Sequence, residues 1–259
     1  MPQNDPDIAT LPGFRRSMLV QPGKTEAVAA VEDDIHCMRV MLRHDGDAIT
    51  AVDAELARAP WTTCPGAVGV LQQTFLGLPL AEAARRAMPY KKANCTHLHD
   101  LAVLAASHAR DDAPLEYRLF ASDPVAGAHR LELHRDGRRI LHWHVEDGLI
   151  VSPAVVAGRS LVALRDWIAT LPPAEAEAAR VLQWGGLVAH GRWMPLSRQS
   201  DARALPPNCY SFQPERASVA VRNGPRIDFS RASRAPLALF DGHGFGPDPD
   251  AQPEPPTPL

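Results

Sequence analysis

Twice along this chain a stretch of alternating residues reverses at an Asp-Gly pair and then yields to helical spacing. That order favours antiparallel hairpins backed by helices over most other folds. In the first instance Met38, Val40 and Leu42 alternate with Arg39, Met41 and Arg43, and His44-Asp45-Gly46-Asp47 makes the turn. Asp-Gly suits a type I′ turn, whose central residues both need positive φ. Residues 48–52 supply the returning strand. Pro60 and Pro65 mark a loop over 60–66, because neither can donate to a ladder. Val70, Leu71 and Phe75 then give 67–76 a helical period, stopped by Gly77 and Pro79. Residues 80–88 read as a short Ala-rich helix. Leu98, Leu101, Ala102 and Ala105 make 95–108 an amphipathic helix with Cys95 at its start.

The second instance opens near Leu115. Residues 129–135 and 139–145 pair around Asp136-Gly137, and 149–156 adds a strand that Pro153 consigns to an edge. Helices follow over 161–171 and 174–190, separated by Pro172-Pro173. Gly77-Leu78-Pro79-Leu80 and Gly158-Arg159-Ser160-Leu161 fall at matching places in the two halves. A coincidental layout explains this more simply than duplication. Beyond Trp193 the pattern fades, although 219–221 and 227–229 have the composition to pair. The expected fold class is therefore α+β: an antiparallel sheet with helices, plus a second α+β region. The expected divisions are a flexible segment 1–27, a first domain 28–112, a second region 113–235 and a disordered Pro-rich tail 236–259.

Composition narrows the function. Of 259 residues, 45% are hydrophobic, enough for a core. Lys and Arg number 27 against 30 Asp and Glu, which removes the basic surplus a phosphate-binding surface would need. No nucleic-acid partner is expected. Nor is a membrane partner, since no apolar run reaches the ~18 residues a spanning helix requires. Four cysteines do not make a disulfide framework at this length, so the cytoplasm is the expected compartment. Phosphate-loop, dinucleotide and nucleophile-elbow glycine motifs are absent from the sequence.

Chemistry concentrates in three short clusters: Glu32-Asp33-Asp34-Ile35-His36-Cys37, Trp61-Thr62-Thr63-Cys64-Pro65-Gly66 and Asn94-Cys95-Thr96-His97-Leu98-His99-Asp100. Cys64 and Cys95 each precede a helix, where free N–H groups favour thiolate over thiol. Asp34 and His36, two apart, share one side of a strand. A metal site of Asp34, His36, Cys64 and Cys95 offers sulfur, nitrogen and oxygen together, which suits zinc or iron rather than calcium or magnesium. The competing interpretation is that both cysteines are small buried residues and the histidines surface groups. Trp61 is a pocket wall or a core residue, Lys91-Lys92 an anion guide or a solubilising pair. His142 and His144 share one face of a strand.

The order of these pieces resembles the NifU/IscU iron–sulfur scaffold fold. The carrying residues are Asp34/His36, Cys64, Gly77-Leu78-Pro79-Leu80 and Cys95-Thr96-His97-Leu98, within 31–108. The resemblance implies an IscU-like antiparallel sheet and an iron–sulfur cluster as an alternative cofactor. Two departures favour a single ion instead: Asp34-Ile35-His36 stands where scaffolds place their first cysteine, and Asn94 stands where they usually supply a histidine. The chain also resembles an uncharacterised bacterial family of unknown function. That resemblance is carried by Glu32-Asp33-Asp34-x-His36, Arg58-x-Pro60-Trp61-x-Thr63-Cys64-Pro65-x-Ala67, Cys95-Thr96-His97-Leu98 and Cys209-Tyr210-Ser211-Phe212-Gln213-Pro214. It implies a bacterial catabolic setting.

Two functions follow as expectations. One is a metal-binding protein with a mixed Cys/His/Asp site for zinc or iron, acting in metal or sulfur handling. The alternative is a metal-dependent hydrolase or lyase for an apolar or aromatic small molecule, with His97 or Asp100 as the proton carrier. A third, an interaction module using the tail, has no motif behind it.

Overall fold

A computed structural model describes residues 11–85, 88–194, 199–224 and 226–250. The first part of the expected flexible segment, 1–10, and the end of the expected tail, 251–259, lie outside these residues. The fold is α+β, with eight antiparallel strands accompanied by helices. It divides into two compact units whose described parts come from Met18–Leu115, Pro195–Ile227 and Ala235–Leu259 in one, and from Met1–Ser17, Glu116–Met194 and Asp228–Arg234 in the other.

The first of these contains the second half of β1 (Gly13–Gln21), then β2 (Glu26–Asp33), β3 (Cys37–His44) and β4 (Ile49–Arg58), hydrogen-bonded in the order β4-β3-β2-β1. In β3 the alternation puts Met38, Val40 and Leu42 wholly inside, as the pattern predicts. Seven of the eight residues of β2 are buried, because both of its faces are covered. A strand covered on both sides loses its period-two signature. Helix α1 (Ala67–Phe75) packs on β4, and α2 (Leu80–Ala83) and α3 (Met88–Ala93) lead to α4 (Thr96–His108), which lies on β2 and β3. Leu98, Leu101 and Leu104 of α4 are fully buried, each contributing roughly 1.5–3 kcal/mol.

The other unit contains the first half of β1, then β5 (Leu115–Ser122), β6 (Ala128–Arg135), β7 (Arg138–Glu146) and β8 (Leu149–Ser152), with β8 at the edge. Asp136 and Gly137 have φ of 49° and 79° and join Arg135 to its partner Arg138, the type I′ geometry that Asp-Gly implies. Asp45-Gly46 differs. Only Gly46 has positive φ, and Asp45 Oδ1 instead accepts from Asp47 N and Ala48 N in a longer loop. The expected helix over 161–171 is a single turn at Leu161–Ala163 followed by α5 (Arg165–Ile168), and α6 runs Pro173–Trp193. Helix α6 lies so close to the strands that Gly185 and Gly186 have no room for a Cβ beside Leu119 and Leu131.

After α6 the chain returns to the first unit through a turn at Tyr210–Phe212 and α7 (Pro214–Ala217). Residues 219–221 and 227–229 do not pair with each other. Thr62 N donates to Val221 O and Asn223 N to Pro60 O, while Ile227 N donates to Asp34 O. Two other expectations are corrected. Residues 13–21 are a strand, missed because Arg15-Arg16 interrupts its apolar pattern and Arg16 is buried. Residues 236–250 are not a free tail: Leu237 N donates to Glu32 Oε2, and Asp248 pairs with Arg58.

Candidate metal centre

The β2–β3 connection is built around one carboxylate. Asp33 Oδ1 accepts from Ile35 N at 2.9 Å and His36 N at 2.8 Å, and Asp33 N donates back to His36 O at 2.8 Å. Asp favours this closed turn because its short side chain reaches the N–H groups two and three residues on. The turn folds His36 over Asp33, with Nδ1 at 3.1 Å from Oδ1. Residues 34 and 35 are a bend and His36 lies outside both strands, so Asp34 and His36 do not share a strand face as the spacing implies.

Arg58 holds the outside of this turn. Register places it opposite Cys37, at the end of β4. Its Nη2 donates to Asp33 O at 2.6 Å and lies 3.2 Å from Glu32 Oε1, and its Nη1 reaches Asp248 at 3.2 Å. Arg58 and Glu32 are both buried. A planar guanidinium with several fixed donors is suited to bind two carboxylates and a carbonyl at once.

The third member comes from α4. His97, in the first turn of that helix, stacks on His36 with ring centroids 3.8 Å apart and an interplanar angle of 27°. Asp33, His36 and His97 thus offer one ligand atom each, all within 4.8 Å of one another. Asp33 is fully buried, His36 nearly so and His97 half-buried. Two imidazoles and a carboxylate form a nitrogen/oxygen donor set of the kind zinc and iron(II) accept.

The other residues singled out from the sequence lie around this group. Asp34 is buried beside it, its carbonyl taken by Ile227 N at 2.9 Å. Asp100 is buried and bound to Lys91 Nζ at 2.6 Å. Cys64 sits in a small core with Trp61, Ala202 and Ala217, its Sγ 3.4 Å from Ser211 Oγ. Trp61 is therefore a core residue. Cys95 is the N-cap of α4 and is buried. Neither sulfur belongs to the Asp33 group.

Helix starts do not make these cysteines thiolates. Burial raises the Cys64 pKa, partly opposed by Ser211. Burial, reinforced by the charge Cys64 would carry, pushes Cys95 up to about 12. Burial likewise pushes Cys209 up to about 11. Desolvation of the charged form outweighs the attraction of the N–H groups.

One residue of the Asp33 group is not among the site residues expected from the sequence. Asp33 was passed over because strand parity favoured Asp34, although Asp-x-x-His is the spacing of a carboxylate-capped turn. The sequence leaves open whether the Cys209 segment returns to this region; Tyr210 N donates to Asn94 O at 2.9 Å and Ser211 Oγ lies 3.4 Å from Cys64 Sγ. No curated protein and no solved structure matches the chain. Residues 15–110, which contain Asp33, His36 and His97, match the model of a family described as protein of unknown function (DUF2889), so over that span the comparison supports an uncharacterised family.

Proposed function

We propose that this chain binds one divalent metal ion, zinc or iron(II), through Asp33, His36 and His97, and uses it in an enzyme acting on a small molecule. The observation behind this reading is the convergence of one carboxylate and two imidazoles from two separate elements. Three protein ligands leave coordination positions open, which distinguishes catalytic from structural sites. When bound, the ion supplies Lewis-acid polarisation of a substrate oxygen, as hydrolysis or lyase chemistry needs.

The chain's own residues divide the remaining work. Asp33 both caps the turn and faces the site, so loop geometry and ligand position are coupled. Arg58 fixes the carbonyl of Asp33 from behind. His97 is the more accessible of the two histidines and marks the side from which a substrate approaches. Lys91 occupies Asp100, which argues against Asp100 as a mobile proton carrier. An iron–sulfur role rested on cysteines in the ligand set, and the Asp33 group contains none.

The test is metal content. Protein purified without added metal, then incubated with zinc or anaerobically with iron(II), binds one ion per chain, and His97→Ala loses it while melting as the wild type does. A wild-type chain that stays metal-free under both conditions overturns the reading. Turnover screens on esters, lactones and hydroxy-substituted aromatics then compare the loaded wild type with His97→Ala.

A further inference from the structure

The buried pair of Glu32 and Arg58, which backs the Asp33 turn, is gripped from outside by a segment remote in sequence. Residues 239–246 of that segment form a small hairpin. Gly246 N donates to Leu239 O at 3.0 Å, and Phe240 pairs with Phe245, their ring centroids 5.0 Å apart. Asp241 Oδ1 closes the tip by accepting from His243 N and Gly244 N at 2.8 Å each. The tip reaches two strands. A Cβ added to Gly242 would meet Gln21 of β1 at 3.4 Å, and one added to Gly244 would meet Glu55 of β4 at 3.4 Å.

Both legs of the hairpin end on the same ion pair. On one side Leu237 N donates to Glu32 Oε2 at 2.6 Å, and on the other Arg58 Nη1 donates to Asp248 Oδ2 at 3.2 Å. Asp248 is itself oriented, because its Oδ1 accepts from Asp250 N at 3.0 Å. Arg58 carries the hold inward, its Nη2 donating to Asp33 O at 2.6 Å and lying 3.5 Å from His36 O. These are the two residues whose side chains meet at 3.1 Å in the candidate centre. All of them belong to one unit. Glu32 and Arg58 are 1% and 5% exposed, whereas no residue from 235 to 250 is buried. A segment with so little buried surface opens at low cost while the strands beneath it stay folded. The family match over 15–110 includes Arg58 and the candidate ligands but not this segment.

We propose that residues 235–250 are a strap that positions the metal-binding turn, with Asp248 as the positioning residue that acts through Arg58 on Asp33 and His36. The hold on the turn stands by itself, while its effect on metal affinity rests on the function proposed above. Linkage is reciprocal, so an ion bound at Asp33, His36 and His97 also holds the strap closed.

Amide hydrogen exchange in the full-length protein reads the turn without metal, because Ile35 N and His36 N donate to Asp33 Oδ1. In metal-free Asp248→Ala both amides are expected to exchange about tenfold faster than in the wild type, the effect of losing one charge-assisted hydrogen bond. Amides of α4 keep their protection. Asp248→Asn, which retains an oxygen for Arg58, restores most of the protection at Ile35 and His36. Affinity for zinc, or anaerobically for iron(II), is measured by chelator competition and weakens about tenfold in Asp248→Ala. Metal slows exchange at Leu237 N in the wild type. Unchanged exchange at Ile35 and His36 in a folded Asp248→Ala overturns the strap. So does equal metal affinity in the two proteins, or bound metal that leaves Leu237 exchange as it was. Should Asp248→Ala fail to fold, the Leu237 amide of the wild type still decides. Faster exchange in Asp248→Ala together with a wild type that takes up neither metal supports the strap and overturns the metal-binding function instead.

Discussion

Asp33 joins local folding to chemistry. Its Oδ1 accepts two backbone N–H groups in a fully buried turn, so Asp33→Ala leaves both without that partner. Each buried, unsatisfied donor costs about 1–3 kcal/mol. Asp33→Asn keeps an acceptor oxygen and removes the charge. The expected outcome is that Asp33→Ala melts well below wild type, whereas Asp33→Asn melts close to it and still loses metal. Equal metal content in Asp33→Asn and wild type would count against Asp33 as a ligand. Arg58 gives a second prediction. Removing it takes away the guanidinium that pairs with Glu32, which is 1% exposed, and breaking a buried ion pair from one side costs roughly 3–5 kcal/mol. Denaturant unfolding of Arg58→Ala measures this. Arg58→Lys retains the charge without the fork and weakens metal binding about 10–100-fold, the usual effect of disturbing a group that orients a ligand.

At the level of elements, hairpins and helices differ in how openly they announce themselves. β3, β6 and β7 have one covered face, and their alternation reads directly. β2 is covered on both faces and β1 carries a buried arginine, so neither shows a period. Helix α4 was legible from its apolar stripe, and with it the placing of His97 near a helix start. Where that start would lie relative to β2 was not. Helix α6 is predicted to be intolerant at Gly185. Alanine there favours the helix by roughly 0.5–1 kcal/mol, but its Cβ runs into the buried side chain of Leu119. Overpacking of this kind costs typically 1–3 kcal/mol, so Gly185→Ala is expected to lower the melting temperature. A rise would mean that Leu119 moves aside at little cost.

Across the whole molecule, stability depends on pH through groups whose protonation differs between folded and unfolded chains. Burial, helped by His190, lowers His129 from 6.5 to about 4. Below 6.5 the unfolded chain takes up a proton that the folded chain refuses, so stability falls as pH drops from 6.5 toward 4. Burial would raise Asp228, but hydrogen bonds from Arg192 and Ser230 outweigh it and hold it at about 2. Its contribution is lost lower still, as pH falls below 3.8. On the alkaline side the folded chain keeps the Cys209 proton up to about 11 while the unfolded chain releases it near 9.0. Stability therefore declines as pH rises through that interval. Thermal melting across pH should show a plateau between these limits, and His129→Gln should flatten the acid limb above pH 4. An acid limb unchanged by that substitution would assign it to other groups. Sequence by itself determined the α+β class, the two hairpins, the helix beginning after Cys95 and the three clusters that carry chemistry, because each is written in a local period or a turn dipeptide. Tertiary structure alone decided that Asp33 rather than Asp34 faces His36 and His97, and that Tyr210 N, beside Cys209, donates to Asn94 O, beside Cys95. Those choices depend on which way a three-residue turn folds and on where a segment more than 100 residues away is hydrogen-bonded, and no local pattern records either.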